Sequence, residues 1–157
     1  MATRTEIKVE LTGIHLCCQG CVNAVDAALR SVGVVNSRCD MDNGTVALTA
    51  NDAATVQKAL DAIAAAGFYG ITDNSQFAIK AVSNVPQDKI KSLIVSGIHN
   101  CCGPCCEAIK RAINTVEGVT GDTAQPRATT FVVTGEFEAA SLIRALNDAG
   151  FSARVKQ

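Results

Sequence analysis

The pattern of apolar and polar positions occurs twice along the chain. Apolar residues alternate with polar ones over residues 6–12 and again over 91–97, which is typical of a strand with one buried face. After each alternation comes a short cysteine-containing loop, and then a stretch with apolar residues at helical spacing. The apolar helix positions are Val22, Val25, Ala28, Leu29 and Val32 in the first half, and Ile109, Ala112, Ile113 and Val116 in the second. The pattern therefore predicts the same strand–loop–helix unit in both halves.

The remainder of each half also follows one plan. Two further strands are predicted to meet at Asp42-Asn43-Gly44, a strong hairpin signal, and at the looser turn Gln125-Pro126-Arg127 in the second half. Amphipathic helices are predicted over residues 52–66 and 138–149, and a short final strand closes each half. The predicted order is βαββαβ, so the fold class is α+β, with two tandem ferredoxin-like domains.

A direct comparison of the two halves supports a duplicated domain. Residues 13–21 match residues 97–105, with the Gly-Ile-His and Cys-Cys-x-x-Cys segments in register. We expect one domain over residues 1–73, a second over 90–157, and a linker over 74–89. The linker includes Ser83-Asn84 and is predicted to have limited order, although the alternation of Phe77 and Ile79 leaves room for a short extra strand.

Composition and charge exclude several classes of function. The chain has 157 residues, of which 18% are charged and 4% aromatic, and its net charge is −1. These values favour neither nucleic acid nor an anionic membrane as a partner. No apolar run is long enough to cross a bilayer, and the N-terminus lacks the apolar core of a signal peptide. We therefore expect a soluble protein, cytoplasmic as the chain stands, or periplasmic if an export signal has been removed.

Cysteine is the unusual residue of this chain. Seven of the eight cysteines fall within residues 17–21 and 101–106. A disulfide framework would spread cysteines along the chain, whereas tight clustering indicates a metal site or a redox pair. Thiolates are soft ligands that suit Cu(I), Zn(II), Cd(II) or Hg(II). No acid–base pair, phosphate-binding loop or activated nucleophile is evident, so we do not expect an enzyme.

A βαββαβ unit with a Cys-x-x-Cys loop between its first strand and first helix resembles the heavy-metal-associated domain. That family includes copper chaperones, the N-terminal metal-binding domains of P-type metal-transporting ATPases, and periplasmic mercury-binding proteins. The resemblance covers nearly the whole chain, twice, and it implies that Cys18, Cys21, Cys102 and Cys105 bind the metal. It also implies a metal-transporting ATPase or another metal-binding protein as a partner. The Gly67-Phe68 and Gly150-Phe151 pairs resemble the family's small–aromatic step, which packs beneath the metal loop.

The loops also depart from the family pattern. Each is longer than usual, and Leu16 and Asn100 replace the methionine that normally anchors the loop in the core. The lengthened loops bring further candidates. Cys17 and Cys101 are additional candidate metal ligands, and His15, His99 and Cys106 are possible ligands or residues that support the ligands. A third sulfur would favour trigonal Cu(I), while a Cys3His set would suit zinc.

The leading interpretation is Cu(I) binding for metal trafficking, buffering or delivery, with one Cys-Cys-x-x-Cys site in each domain. The alternative is a dithiol–disulfide redox protein or sensor that uses the Cys-x-x-Cys pairs. Because the positive end of a helix dipole stabilises a thiolate, we expect Cys21 and Cys105, nearest the helix starts, to be the more acidic cysteines of each set.

Overall fold

Each half of the chain forms a four-stranded antiparallel sheet with two helices against it. The computed structural model describes residues 6–80, 82 and 85–156. The first half comprises β1 (Ile7–Thr12), α1 (Gln19–Arg30), β2 (Asn36–Asp40), β3 (Thr45–Ala50), α2 (Ala53–Ala65) and β4 (Ile71–Thr72). The second comprises β5 (Lys89–Ser96), α3 (Gly103–Asn114), β6 (Val119–Asp122), β7 (Thr130–Glu138), α4 (Ala139–Asp148) and β8 (Arg154–Lys156). Within these described stretches, no helix combines the length and apolar character needed to cross a membrane.

The strand order is the same in both sheets. The first sheet runs β2-β3-β1-β4 and the second β6-β7-β5-β8, with the first strand of each half in the interior. Val9 and Leu11 of β1 turn toward the helices and are buried, and Leu93 and Val95 of β5 do the same. The predicted fold class, two ferredoxin-like α+β domains, is confirmed by this order.

Local sequence signals account for several of the turns and helix starts. The β2–β3 hairpin forms as predicted, because the Asp40 carboxylate accepts the backbone N–H groups of Asp42 and Asn43 at 3.0 and 3.2 Å. The helix α2 begins after Asp52, whose side chain accepts the N–H of Thr55 at 2.7 Å. These short-range bonds stabilise the framework that carries the cysteine loops.

Residues predicted to join the two halves contribute to the first core. Phe77 and Ile79 are both buried, each only 7% exposed, and they pack with the apolar residues of the first half. No strand forms at 77–79 in the described part of this segment. The carbonyl of Phe77 accepts a hydrogen bond from Thr72 Oγ1 at 2.6 Å. Ser83 and Asn84, which belong to the predicted linker, lie outside the described residues.

The two halves meet through the segments that follow α2 and α4. Phe68 and Phe151 form an antiparallel bridge between the halves. The flanking hydrogen bonds, both 2.9 Å long, run from the Tyr69 N–H to the Gly150 carbonyl and from the Ser152 N–H to the Gly67 carbonyl. Because equivalent residues of the two repeats exchange equivalent bonds, the halves are related by an approximate two-fold axis through this bridge. This arrangement turns the two cysteine loops toward each other.

Candidate metal centre

Each cysteine loop lies at the start of a helix. Cys18 caps α1 and Cys102 caps α3, both with extended backbone, so the free N–H groups of the first turn lie close to the loop sulfurs. Cys21 and Cys105 occupy the first turns of these helices and are completely buried. The exposed side of the loop is formed by Cys17. Each loop therefore buries one thiol completely and leaves its others half-buried or, for Cys17, exposed.

The thiols of the two loops form one cluster, which we call the six-cysteine cluster: Cys17, Cys18, Cys21, Cys101, Cys102 and Cys105. Within each half, the Sγ atoms of Cys17 and Cys21, and of Cys101 and Cys105, are 3.6 Å apart. Separations between the halves are as short: 3.4 Å for Cys17–Cys105, 3.7 Å for Cys17–Cys102 and Cys18–Cys101, 3.8 Å for Cys21–Cys105 and 4.0 Å for Cys18–Cys102. The sequence predicts one site per domain, whereas the structure brings both sets of thiols into one place.

These sulfur separations can be compared with the geometry of a metal–thiolate site. With a metal–sulfur bond of about 2.3 Å, two sulfurs lie about 4.6 Å apart in a linear site, about 4.0 Å in a trigonal one and about 3.8 Å in a tetrahedral one. The observed range of 3.4–4.0 Å lies near the trigonal and tetrahedral values. The cluster thus suits a soft ion bound by three or four ligands.

Both histidines of the chain border the cluster. The His15 ring packs on Phe151, with ring centroids 4.4 Å apart, and the His99 ring packs on Phe68 at 4.3 Å. The Nε2 atoms of both histidines are buried and have no hydrogen-bond partner among the described residues. A buried nitrogen without a partner is costly in a folded protein, and a metal ion at this place would satisfy it. Both histidines are therefore candidate ligands.

Three combinations of these side chains have ligand atoms close enough for one metal ion. Within each combination all ligand atoms lie within 4.8 Å of one another. The sets are His15, Cys17, Cys21 and Cys105; then Cys21, His99, Cys101 and Cys105; and finally Cys17, Cys18 and Cys102. Every set contains side chains from both halves, so a complete coordination shell requires both loops.

Hydrogen bonds and burial give the six thiols different acidities. The Cys105 thiol beside Cys21 lowers the pKa of Cys21, and the same interaction, together with burial, raises the pKa of Cys105. The N–H of Cys105 lowers the pKa of Cys102 to about 7, while burial raises the pKa of Cys101 to about 12. The prediction that Cys21 is acidic is thus confirmed. The prediction for Cys105 is wrong, because its thiol keeps its proton and donates it in a hydrogen bond to the sulfur of Cys21.

We expect the metal-free protein to be alkylated by iodoacetamide first at Cys102, with a half-maximal rate near pH 7. The pKa of Cys102 is lowered, so its reactive thiolate is present above that pH and is lost as the pH falls through it. Cys102 is half-buried and within reach of the reagent, whereas Cys21, whose pKa is also lowered, is completely buried. Peptide mass spectrometry over pH 5.5–9 would follow each cysteine. Cys39, whose pKa is raised to about 12 by burial and by Asp26, serves as the slow internal reference. A midpoint for Cys102 near 9, the ordinary value, would contradict the expectation.

The two remaining cysteines lie outside the cluster. Cys106, a possible ligand on sequence grounds, is buried in the second core and belongs to none of the three ligand sets of the described residues. Cys39 lies on β2, where its Sγ is 3.7 Å from a carboxylate oxygen of Asp26. Both side chains therefore serve as matched controls for substitutions inside the cluster.

Leu16 and Asn100, which replace the usual methionine of heavy-metal-associated domains, play different roles in the two halves. Leu16 is buried in the first core and anchors its loop through apolar contact. Asn100 is also buried, and its amide donates to the carbonyls of Gln125 and Ala128 at 2.7 and 2.9 Å. The second loop is therefore held to the β6–β7 turn by hydrogen bonds, a role that the sequence alone did not indicate.

Gly67 and Phe68 pack against the loop of the opposite half, as do Gly150 and Phe151. A Cβ atom on Gly67 would overlap the backbone nitrogen of His99 and lie 2.6 Å from the carbonyl carbon of Ile98. Gly150 has the same relation to His15. Sequence reasoning predicted that these residues pack beneath a loop but missed the exchange between halves. The only signal for it was the recurrence of the Gly-Phe pair in both repeats.

Comparison with known proteins gives distant structural similarity. No protein family model matches the chain, and no curated protein sequence matches it significantly. The N-terminal soluble domains of Bacillus subtilis CopA match at 14% identity with a TM-score of 0.36, covering 99% of this chain and 97% of that one. A second structure, of the water-soluble region of P-type ATPase CopA from Bacillus subtilis, matches at 18% identity and 0.35, covering 99% and 93%. The first two RRM domains of yeast poly(U)-binding protein match at 12% and 0.29, covering 96% and 98%.

Proposed function

We propose that this protein binds soft, thiophilic metal ions, Cu(I) first among them, in the six-cysteine cluster, and that it buffers or delivers them. The observation that carries the proposal is the approach of six thiols from two loops to separations of 3.4–4.0 Å. Thiol groups so close together repel one another once ionised, and a bound cation removes that repulsion. A bound metal ion therefore stabilises the closely spaced thiolates.

Cu(I) is favoured by the chemistry of the ligands. Soft thiolates select Cu(I) and Zn(II) over hard cations such as magnesium or calcium. The Cys17, Cys18 and Cys102 set offers three sulfurs and no nitrogen, which suits trigonal Cu(I). The two sets that include a histidine also suit Zn(II), Cd(II) or Hg(II). Competition between metals is therefore the deciding measurement.

Exposure of part of the cluster supports transfer to a partner. Cys17 is exposed, and Cys18 and Cys102 are half-buried, whereas Cys21 and Cys105 are buried. A partner with its own pair of thiolates can reach the exposed sulfurs and displace them one at a time through a three-sulfur intermediate. A metal-transporting ATPase or another metal-binding protein with such a pair fits this description.

The test is an anaerobic titration of the full chain with Cu(I) and with Zn(II) against chelators of known affinity. We expect Cu(I) to displace bound Zn(II), because thiolates prefer the softer ion. The Cys39→Ser variant, altered outside the cluster, should behave as the wild type. Retention of Zn(II) in the presence of equimolar Cu(I) would assign the cluster to zinc, and the absence of any bound metal would refute the proposal.

A dithiol–disulfide role is the second candidate. The observations that favour it are the 3.4 Å separation of Cys17 and Cys105 and the lowered pKa of Cys102, since a thiolate next to another thiol is readily oxidised. A thiol count and metal analysis of protein purified without oxygen separate the two roles. Metal-free protein that cycles two thiols at a defined potential would support the redox role.

A further inference from the structure

We infer that the six-cysteine cluster holds two metal ions that share the thiolates of Cys21 and Cys105, each ion being completed by one further cysteine and one histidine. The inference rests on the proposed function and specifies its site. The first ion takes Cys17 and His15, and the second takes Cys101 and His99. Metal replaces the thiol protons, which pass to solvent, and no electrons are transferred.

The bridging role of Cys21 and Cys105 follows from their position. Both side chains are completely buried, and their sulfurs are 3.8 Å apart, between the two loops. Cys105 lies 3.4 Å from Cys17 on one side and 3.6 Å from Cys101 on the other. Cys21 lies 3.6 Å from Cys17 and within 4.8 Å of Cys101. Each of the two sulfurs therefore belongs to both four-ligand sets.

The two sets are equivalent under the approximate two-fold axis. Exchanging the halves replaces His15 by His99, Cys17 by Cys101 and Cys21 by Cys105, and this converts one set into the other. Three ligands of each set come from one half and the fourth from the other. The two positions differ in detail, since Cys17 and Cys105 are 3.4 Å apart and their counterparts Cys101 and Cys21 lie within 4.8 Å. Both keep the same four ligand types within reach of one ion, so the arrangement that fits one ion fits the second as well.

The histidines give an independent reason to expect two ions. Each Nε2 atom is buried without a hydrogen-bond partner among the described residues, and each set contains one of the two histidines. A single ion at either position would leave the other histidine unsatisfied. Stacking on Phe151 and Phe68 holds both rings beside the cluster, so neither can turn out to water without breaking an aromatic contact.

The inference is tested with cadmium as the probe metal, because ¹¹³Cd gives a nuclear magnetic resonance signal for each bound ion. We expect the full chain to bind two ¹¹³Cd ions whose resonances are split by coupling to each other through the shared sulfurs. The double variant with Cys21→Ser and Cys105→Ser should lose this splitting because both shared sulfurs are gone, and Cys39→Ser should retain it. Circular dichroism of both variants would establish that the fold is kept.

The possible results separate this inference from the proposed function. One bound cadmium ion per chain, or two ions with uncoupled resonances, would overturn the shared centre while leaving soft-metal binding intact. No bound cadmium and no bound Cu(I) would overturn both. Because the wild-type splitting is itself decisive, the test does not depend on the folding of any variant.

Discussion

Substitution of Cys21 by serine is expected to weaken Cu(I) binding by the whole chain roughly 100-fold or more, because even residues that only orient a metal ligand contribute 10–100-fold to affinity. Cys21 belongs to ligand sets on both sides of the cluster, so its loss affects metal bound by either half. The measurement is an anaerobic competition titration with a chromophoric Cu(I) chelator. Serine preserves the shape of this completely buried side chain and removes the soft ligand.

The control for this variant is Cys39→Ser, which alters a cysteine on β2 outside the ligand sets. We expect its Cu(I) affinity to equal that of the wild type. The result that would contradict the shared cluster is specific: Cys21→Ser would lose half of the bound metal, and the remainder would bind with unchanged affinity. That outcome would mean that the two loops act separately, as the sequence predicts.

Substitution of Gly67 by alanine is expected to separate the two halves and divide the cluster. The backbone of Gly67 has a φ of 95°, and an added Cβ would overlap the backbone nitrogen of His99 in the opposite loop. Relief of this overlap requires Gly67 to move away from the second half, which breaks the hydrogen bonds from the N–H groups of His99 and Ser152 to the Gly67 carbonyl. Small-angle X-ray scattering should show a larger radius of gyration, and the ¹¹³Cd splitting should disappear.

Gly33→Ala is the matched control, since Gly33 also has a positive φ, 78°, but an added Cβ there meets nothing within 4 Å. Both variants incur the left-handed backbone cost of about 1–2 kcal/mol, which urea unfolding would measure. Only Gly67→Ala introduces a clash between the halves. An unchanged scattering profile and a retained cadmium splitting in Gly67→Ala would show that the contact at Gly67 does not hold the loops together.

Much of the fold was predictable because its signals are local. Alternation over β1 and β5 and helical spacing over α1 and α3 appear within short windows, and the repeat doubles each signal. The hairpin before β3 depends on Asp40 and the residues directly after it. The burial of Phe77 and Ile79 was harder to predict, because a buried segment without strand pairing looks like an extended linker in sequence.

The candidate site was predictable in its chemistry but not in its assembly. The clustering of cysteines in two short loops predicted soft-metal ligands, and the repeat placed them at helix starts. The acidity of the individual thiols depends on neighbours from the other half, as the coupling of Cys21 and Cys105 shows. Proximity to the start of a helix therefore predicted the direction of the pKa shift correctly for Cys21 and wrongly for Cys105.

The sequence by itself determined that this protein has two βαββαβ units and a Cys-Cys-x-x-Cys loop in each, because periodicity and ligand type are properties of neighbouring residues. The tertiary structure decided that the two loops form one cluster. Cys17 and Cys105 are 88 residues apart in the chain, yet their sulfurs are 3.4 Å apart. This approach depends on the packing of Gly67 and Gly150 against the opposite loops, which no local pattern encodes.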